Sequence, residues 1–206
     1  MLRWLLSALW ICVLTGTVTG AKVEVAGAPQ GISLNNDFIV KVRPEGKSKW
    51  VLVPTYLVKV DEVRETKHHV EHASMATFDF SEKVEIEVTY NKGKIDSARV
   101  RPLSYDIPFT IEGNTLQFSL EKPANLSVEV NGDIFHNLHL FANPLDTFKV
   151  DKKNPDLIYF GPGIHRFEGG EFRIPSGKTV YVAGGTVMMG RMLIENVHDV
   201  KLLGRG

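Results

Sequence analysis

From Val23 to Phe141 the apolar positions recur at every second residue rather than with the period of a helix. Phe38, Val40 and Val42 alternate with Ile39, Lys41 and Arg43, and Val84, Ile86, Val88 and Tyr90 alternate with Glu85, Glu87 and Thr89. Leu116, Phe118 and Leu120 alternate with Gln117 and Ser119. Successive side chains of a strand point to opposite faces, so each segment predicts a strand with one buried face and one wet face. Leu126, Val128 and Val130 lead into Asn131-Gly132-Asp133, after which comes the apolar-rich run Ile134 to Phe141. Asn-Gly between two such runs predicts a tight hairpin, because both central residues of its turn take positive φ. Asn91-Lys92-Gly93-Lys94 and Glu112-Gly113-Asn114 mark further turns. About eight or nine short strands at this spacing predict an antiparallel β-sandwich over residues 22–142.

The alternation then stops. Asn143-Pro144, the charged Asp151-Lys152-Lys153 and Asn154-Pro155 carry no period, and residues 143–156 read as a linker. From Leu157 the strands are short and the corners glycine-rich: Gly161-Pro162-Gly163 follows Leu157 to Phe160, and Gly184-Gly185 follows Thr179 to Val182. Thr186 to Met189, Met192 to Ile194 and Val200 to Leu203 complete the pattern. Val180 and Val200 each open a comparable apolar triplet, and the interval between them matches one turn of a parallel β-helix. Residues 157–206 therefore predict the start of such a helix, and the whole chain an all-β fold. A coil cannot bury its inner face alone, and about three are needed for a stable stack. Roughly two are present, so the expectation is that this chain forms the front of a longer protein, with the sandwich capping the solenoid.

The N-terminal stretch from Met1 to Ala21 stands apart: Arg3, an apolar run from Trp4 to Leu14, then small residues ending at Thr19, Gly20 and Ala21. This is the pattern of a secretory signal peptide cleaved near Ala21, and its apolar core is short for a membrane span. Cleavage removes the single cysteine, Cys12, together with Trp4 and Trp10, leaving Trp50 as the one tryptophan. A secreted chain without cysteine has no disulfide framework, no thiol nucleophile and no cysteine-bound zinc. The remaining chain is long enough to be held by its hydrophobic core. Its 24 Lys plus Arg balance 24 Asp plus Glu, so no basic surplus points to nucleic acid or an anionic membrane. At 43% hydrophobic and 23% charged, the composition excludes disorder. Asn125-Leu126-Ser127 is an acceptor sequon that matters only in a eukaryotic secretory pathway.

Several residue groups carry candidate chemistry. His68-His69-Val70-Glu71-His72 fits the H-x-x-E-H pattern of a metallopeptidase class, in which two imidazoles four apart on a helix hold zinc and Glu71 is the base. Asp61 to Met75 is weakly compatible with a helix through Val60, Val63 and Val70. A polar loop or an exposed strand edge accounts for the cluster equally well, and a solvated loop is the preferred reading. Glu85 and Glu87 share one strand face, but the apolar residues between them make it the wet one. Trp50, Tyr56, Tyr90 and Tyr105 offer aromatic faces of the kind that stack on sugars, with core or interface packing the expected role for most. His136, His139 and His165 read as hydrogen-bonded structural residues, the first two between sandwich and helix.

The stretches IYFGPGIHRF and GKTVYVAGGTVMMGRMLIENVHDVKLLGRG resemble the entry into the right-handed β-helix of secreted polysaccharide hydrolases of the pectinase-like superfamily. NGDIFHNLHLFANP and ARVRPLS are similar to the β-sandwich that precedes the helix in dextranase and isopullulanase relatives (family 49) and in relatives of polygalacturonase (family 28). The resemblance implies a glycoside hydrolase that needs no cofactor, with a pectin- or glucan-like polysaccharide as partner and no nucleic acid or membrane, in a monomer. It also implies aspartates on central coils, in contexts such as Asn-Thr-Asp, Asp-Asp and Gly-His-Gly. None of the three occurs here, so no catalytic, cofactor or metal residue is assigned, and the expected site lies past Gly206. The alternative is a noncatalytic module that binds polysaccharide or caps the solenoid.

Overall fold

In the structure, a computed structural model that describes residues 20–206, the alternating segments fold as strands. The first eleven are β1 (Val23–Glu24), β2 (Phe38–Pro44), β3 (Val51–Val53), β4 (Thr55–Arg64), β5 (Lys67–Phe80), β6 (Val84–Tyr90), β7 (Ala98–Arg101), β8 (Phe109–Glu112), β9 (Thr115–Leu120), β10 (Ala124–Val130) and β11 (Asp133–Pro144). They make two sheets: one ordered β3-β2-β6-β9-β8, the other β1-β5-β11-β10-β7 with β4 also on β5. Apolar residues at every second position face inward and are buried, among them Val40, Val42, Ile86, Val88, Leu116, Val128, Leu138 and Leu140. The Asn131-Gly132 hairpin forms as expected, with φ of 53° and 79° at its two central residues.

Three features depart from the sequence expectation. The sheets hold eleven strands rather than eight or nine, and one pair is parallel: β11 runs alongside β5 from Leu138↔Ser74 to Pro144↔Phe80. Alternation fixes which face a strand buries but not which strand lies beside it, so this long-range pairing leaves no local signature. The histidine cluster is on neither a helix nor the preferred solvated loop but on a strand: β4 and β5 form one long hairpin, closed at Glu65-Thr66 with φ of 49° and 70°. Lastly, β11 continues to Pro144, into the segment expected to be linker.

Beyond it, β12 (Leu157–Phe160), β14 (Thr179–Val182) and β16 (Lys201–Gly204) stack as one parallel sheet, and β13 (Gly163–Arg173) and β15 (Thr186–Leu193) as a second. These are successive turns of a β-helix. Leu157 pairs with Thr179, and Thr179 with Lys201, so this face repeats at a constant interval along the chain. Val180 therefore stands beside Leu202, not Val200, because the coil is slightly longer than the spacing of the apolar triplets suggests. Ile174, Val180 and Val182 form a small separate core, lined by Phe160, Phe172 and Met188. Phe160, Phe167 and Phe172 pack edge-on or stacked at centroid separations of 5.2–5.8 Å. Gly204 has φ of 135°, and a Cβ there would collide with the Val182 backbone of the coil below. Glycine is what lets the two coils approach so closely.

The expected signal peptide lies outside the described residues except for Gly20 and Ala21. Among the described residues no helix is long and apolar enough to cross a membrane.

Candidate functional site

The histidine cluster lies on β5, where residues rise about 3.3 Å each, so His68 and His72 are separated by about 13 Å along the strand. They cannot share one ion, and among the described residues no group of three His, Cys, Asp or Glu is placed to hold a metal. His68 instead faces Asp61 across the hairpin at 3.0 Å. Glu71 meets His136, whose Nε2 is 3.3 Å away while its Nδ1 lies 2.9 Å from Asp133. His136 thus ties the base of the hairpin to β11 and does not bridge sandwich and coils, contrary to its sequence reading. His139 stands mid-sheet, opposite Met75 and Ser127.

Glu85 and Glu87 do lie on the wet face of β6. Each is held by a cation on β2: Arg43 Nε is 2.5 Å from Glu85, and Lys41 Nζ is 2.8 Å from Glu87. The hydrogen bond from Lys41, with a second from Gln117, holds the Glu87 carboxyl below its ordinary range despite partial burial. Neither is poised for proton transfer. Arg43 also covers the Trp50 ring at 4.3 Å, Tyr90 packs on Phe38 at 5.2 Å, and Tyr56 is half-buried beside Leu34. Tyr105 alone among the four aromatics is exposed, at 56%. His165 braces a corner, with Nε2 2.7 Å from the Gly161 carbonyl, which also accepts from the Thr186 hydroxyl at 2.8 Å.

A further set of interacting polar groups lies outside the residues that the sequence singles out. Asp79, 7% exposed on β5, receives Arg205 Nε at 2.9 and 3.0 Å on its two oxygens. The same guanidinium donates to the carbonyls of Gly204 and Pro144, both at 3.0 Å. Tyr181, on the outer face of β14, donates to Asp146 at 2.5 Å. Its ring stacks between Phe148, at 4.8 Å, and Tyr159, at 6.0 Å, and Lys152 covers Tyr159. Within residues 143–156, which are mostly exposed, Asp146 and Phe148 fasten the segment to β14 through Tyr181. Close by, Gly184-Gly185 abuts Ala26-Gly27, and a Cβ on Gly185 would lie 2.6 Å from the Gly27 carbonyl oxygen.

These groups resemble an acid–base pair in one respect, since their carboxyls are driven apart. Burial pushes the Asp79 carboxyl above its ordinary value, and Arg205 and Asn143 recover only part of that. Burial also opposes ionisation of Asp146, but the Tyr181 hydroxyl, the Phe148 N–H and the charge of Arg205 outweigh it and hold that carboxyl low. Each carboxylate is nevertheless engaged by internal partners, and the cavity between them, about 250 Å³, is smaller than the usual ligand site. The arrangement is a clasp joining sandwich to coils.

One consequence is testable. Tyr181→Phe removes a hydrogen bond to a charged acceptor and lowers unfolding stability by about 1.5 kcal/mol in urea melts. The Tyr181 hydroxyl is pushed up to about 12, first by burial and then by donating to Asp146, from an ordinary value of 10.0. A group whose folded value is raised contributes stability that is intact below its unfolded value. The gap between the two chains is accordingly full below pH 10 and narrows as pH rises to about 12.

No protein-family model matches the chain, and no curated protein sequence matches it. Among solved structures it is similar to Dex49A from Penicillium minioluteum, with a TM-score of 0.59 and 13% identity over 81% of this chain and 44% of that one. The chain spans less than half the length of that protein. The similarity is one of fold: an all-β chain in which a sandwich is followed by coils of a β-helix.

Proposed function

We propose that residues 22–206 are the N-terminal part of a secreted glycoside hydrolase that acts on a polysaccharide, with its catalytic acids on coils stacked beyond β16. One observation carries this reading. Leu202 continues the inward-facing column begun by Val180, yet it is 50% exposed, on a strand whose far edge is unpaired among the described residues. An inner coil face is covered only by the next coil. The fold shared with Dex49A supports the reading, as does that protein's family number, which is that of the dextranase and isopullulanase relatives named above.

Inverting glycoside hydrolysis needs one carboxylic acid on the leaving oxygen and a carboxylate to activate water. The clasp is not that pair, because Arg205 and Tyr181 occupy its carboxylates. The sandwich then serves as a brace for the coils, fastened to them through Tyr181 on β14 and Arg205 directly after β16. The second reading, a noncatalytic capping or polysaccharide-binding module, rests on that same clasp. The test is to read the nucleotide sequence past codon 206 and to assay the protein so extended for reducing ends released from dextran, pullulan and polygalacturonate. Further coils that keep the interval from Thr179 to Lys201 and bear aspartate pairs, with sugar release, are expected. A stop codon at that point, with no sugar released by the purified chain, overturns the hydrolase reading in favour of the module.

A further inference from the structure

The β4–β5 hairpin outruns the sheet it belongs to. β11 pairs with β5 only from Ser74 onward, and among the described residues the outer edge of β4 is met at Tyr56, by Leu34, and nowhere nearer the tip. Positions 58–64 and 67–73 therefore form a two-stranded ribbon on the order of 20 Å long. A ribbon of two strands is marginal in water by itself. This one also exposes Leu57 at 51%, Val63 at 62% and Val70 at 54%. Opposed residues of a hairpin share a face, and the register puts these three on one side, together with Lys59, Asp61, His68 and His72.

The main-chain groups that the free edge presents can be named. Asn35 N–H donates to the Thr55 carbonyl at 2.7 Å, so Thr55 turns its main-chain groups away from β5. Direction alternates along a strand, which turns those of Leu57, Lys59, Asp61 and Val63 the same way. The closure at Glu65-Thr66 agrees: the residues flanking a two-residue turn, Arg64 and Lys67, bond to each other, and even-numbered positions of β4 thus point inward. Such an edge is a template for another strand, and the charges along it decide which strand is accepted. Within the chain Lys59 stands opposite His72 rather than an acid, and Asp61 is met by His68 at 3.0 Å.

We infer that this edge is completed by β4 of a second copy of the chain, running antiparallel about a two-fold axis at Val60. In that register Lys59 of each copy stands opposite Asp61 of the other, giving two ion pairs on the exposed face. The outward main-chain groups of the same four residues then point at one another and form four hydrogen bonds across the seam. Neighbouring registers are penalised. An axis at Lys59 sets lysine against lysine, an axis at Asp61 sets aspartate against aspartate, and an axis between two residues mismatches the main-chain groups. The overlap also uses the whole free length of the ribbon, since the tip of each copy ends beside Leu34 of the other, itself 45% exposed. Such a dimer departs from the monomer that the resemblance implies, and it does not depend on the hydrolase reading.

Sedimentation equilibrium of the purified chain tests this, at concentrations up to about 100 μM because so small a contact binds in the micromolar range. Monomer and dimer in exchange are expected, with less dimer at high salt. Lys59→Asp and Asp61→Lys each put like charges opposite at both pairs and weaken association about tenfold. Both positions are exposed, and the fluorescence of Trp50 confirms that each variant is folded. Mixed together, the two variants associate at least as well as the wild type, since every pair is again opposite in sign. The double variant Lys59→Asp/Asp61→Lys recovers for the same reason. A wild-type chain that stays monomeric throughout overturns the inference and leaves the edge to a strand of another protein. A dimer that survives in both single variants also overturns it and places the contact elsewhere, as at the bare edge of β16. So does a mixture no more associated than its two components.

Discussion

Phe78→Ala lowers the stability of the sandwich by about 4 kcal/mol, the cost of removing a large ring from a site that does not collapse around the void. Phe78 is 2% exposed on β5, the strand that pairs with β4 and β1 along one edge and with β11 along the other. Its ring lies 5.8 Å from that of Phe80, and the two anchor the stretch that presents Asp79 to the coils. For a chain of this length the loss moves the thermal midpoint down by roughly 10 °C. Trp50 reports on it directly, because its ring is held under Arg43 on the sheet opposite β5. The inner core of the coils is a separate cluster around Ile174, Val180 and Val182. A fall in the Trp50 transition at unchanged urea dependence is the expected result. A change of less than about 1 kcal/mol, the size of an ordinary surface effect, would mean that β5 is not central to the sandwich.

That centrality is also where local reading of the sequence ran out. Strands such as Phe38–Pro44 and Val84–Tyr90 were legible because one face is wholly apolar and the other wholly polar or mixed, so burial follows from period alone. The Asn131-Gly132 turn was legible because its chemistry is the one that positive φ selects. Glu65-Thr66 takes the same left-handed backbone with side chains that disfavour it, so the long β4–β5 hairpin carries no turn signal and its His-rich strand mimics a helix motif. Tertiary pairing along the whole of β4, from Thr55↔Ala76 to Arg64↔Lys67, imposes that turn. The coils were legible from their glycine corners, but the repeat length was not, since side chains on one coil fix only approximately where the next strand begins.

The sites were harder to see than the fold. Asp79 sits between Phe78 and Phe80 in a run that reads as core, and its partner Arg205 is 126 residues away. No spacing rule links them. Tyr105 was among the aromatic candidates, but nothing local distinguishes it from Tyr90; one lies on an exposed 3₁₀ turn and the other against Phe38.

Arg205→Met leaves the Asp79 carboxylate in the interface without its cation. Breaking a buried pair by removing one partner costs about 3–5 kcal/mol, and the partial exposure of Arg205, 28% at its side chain, places this case near the lower end. The loss falls on the seam and not on the sandwich core. It is read as faster amide exchange in β14 and β16, at Thr179–Val182 and Lys201–Gly204, with the Trp50 transition nearly unmoved. The pH dependence separates an uncompensated charge from lost packing. Burial already raises the Asp79 carboxyl, and removing Arg205 raises it further. A carboxyl with a raised folded value favours the native state when protonated. The defect is therefore full at pH 7 and shrinks as pH falls through the raised value toward the ordinary 3.8. Asp79→Asn combined with Arg205→Met removes the charge altogether and recovers much of the loss at pH 7, since no ion then remains to be desolvated. If the single variant is as defective at pH 4.5 as at pH 7, or the double variant is the worse of the two, Arg205 holds the coil by its contacts with the Pro144 and Gly204 carbonyls and not by its pairing with Asp79.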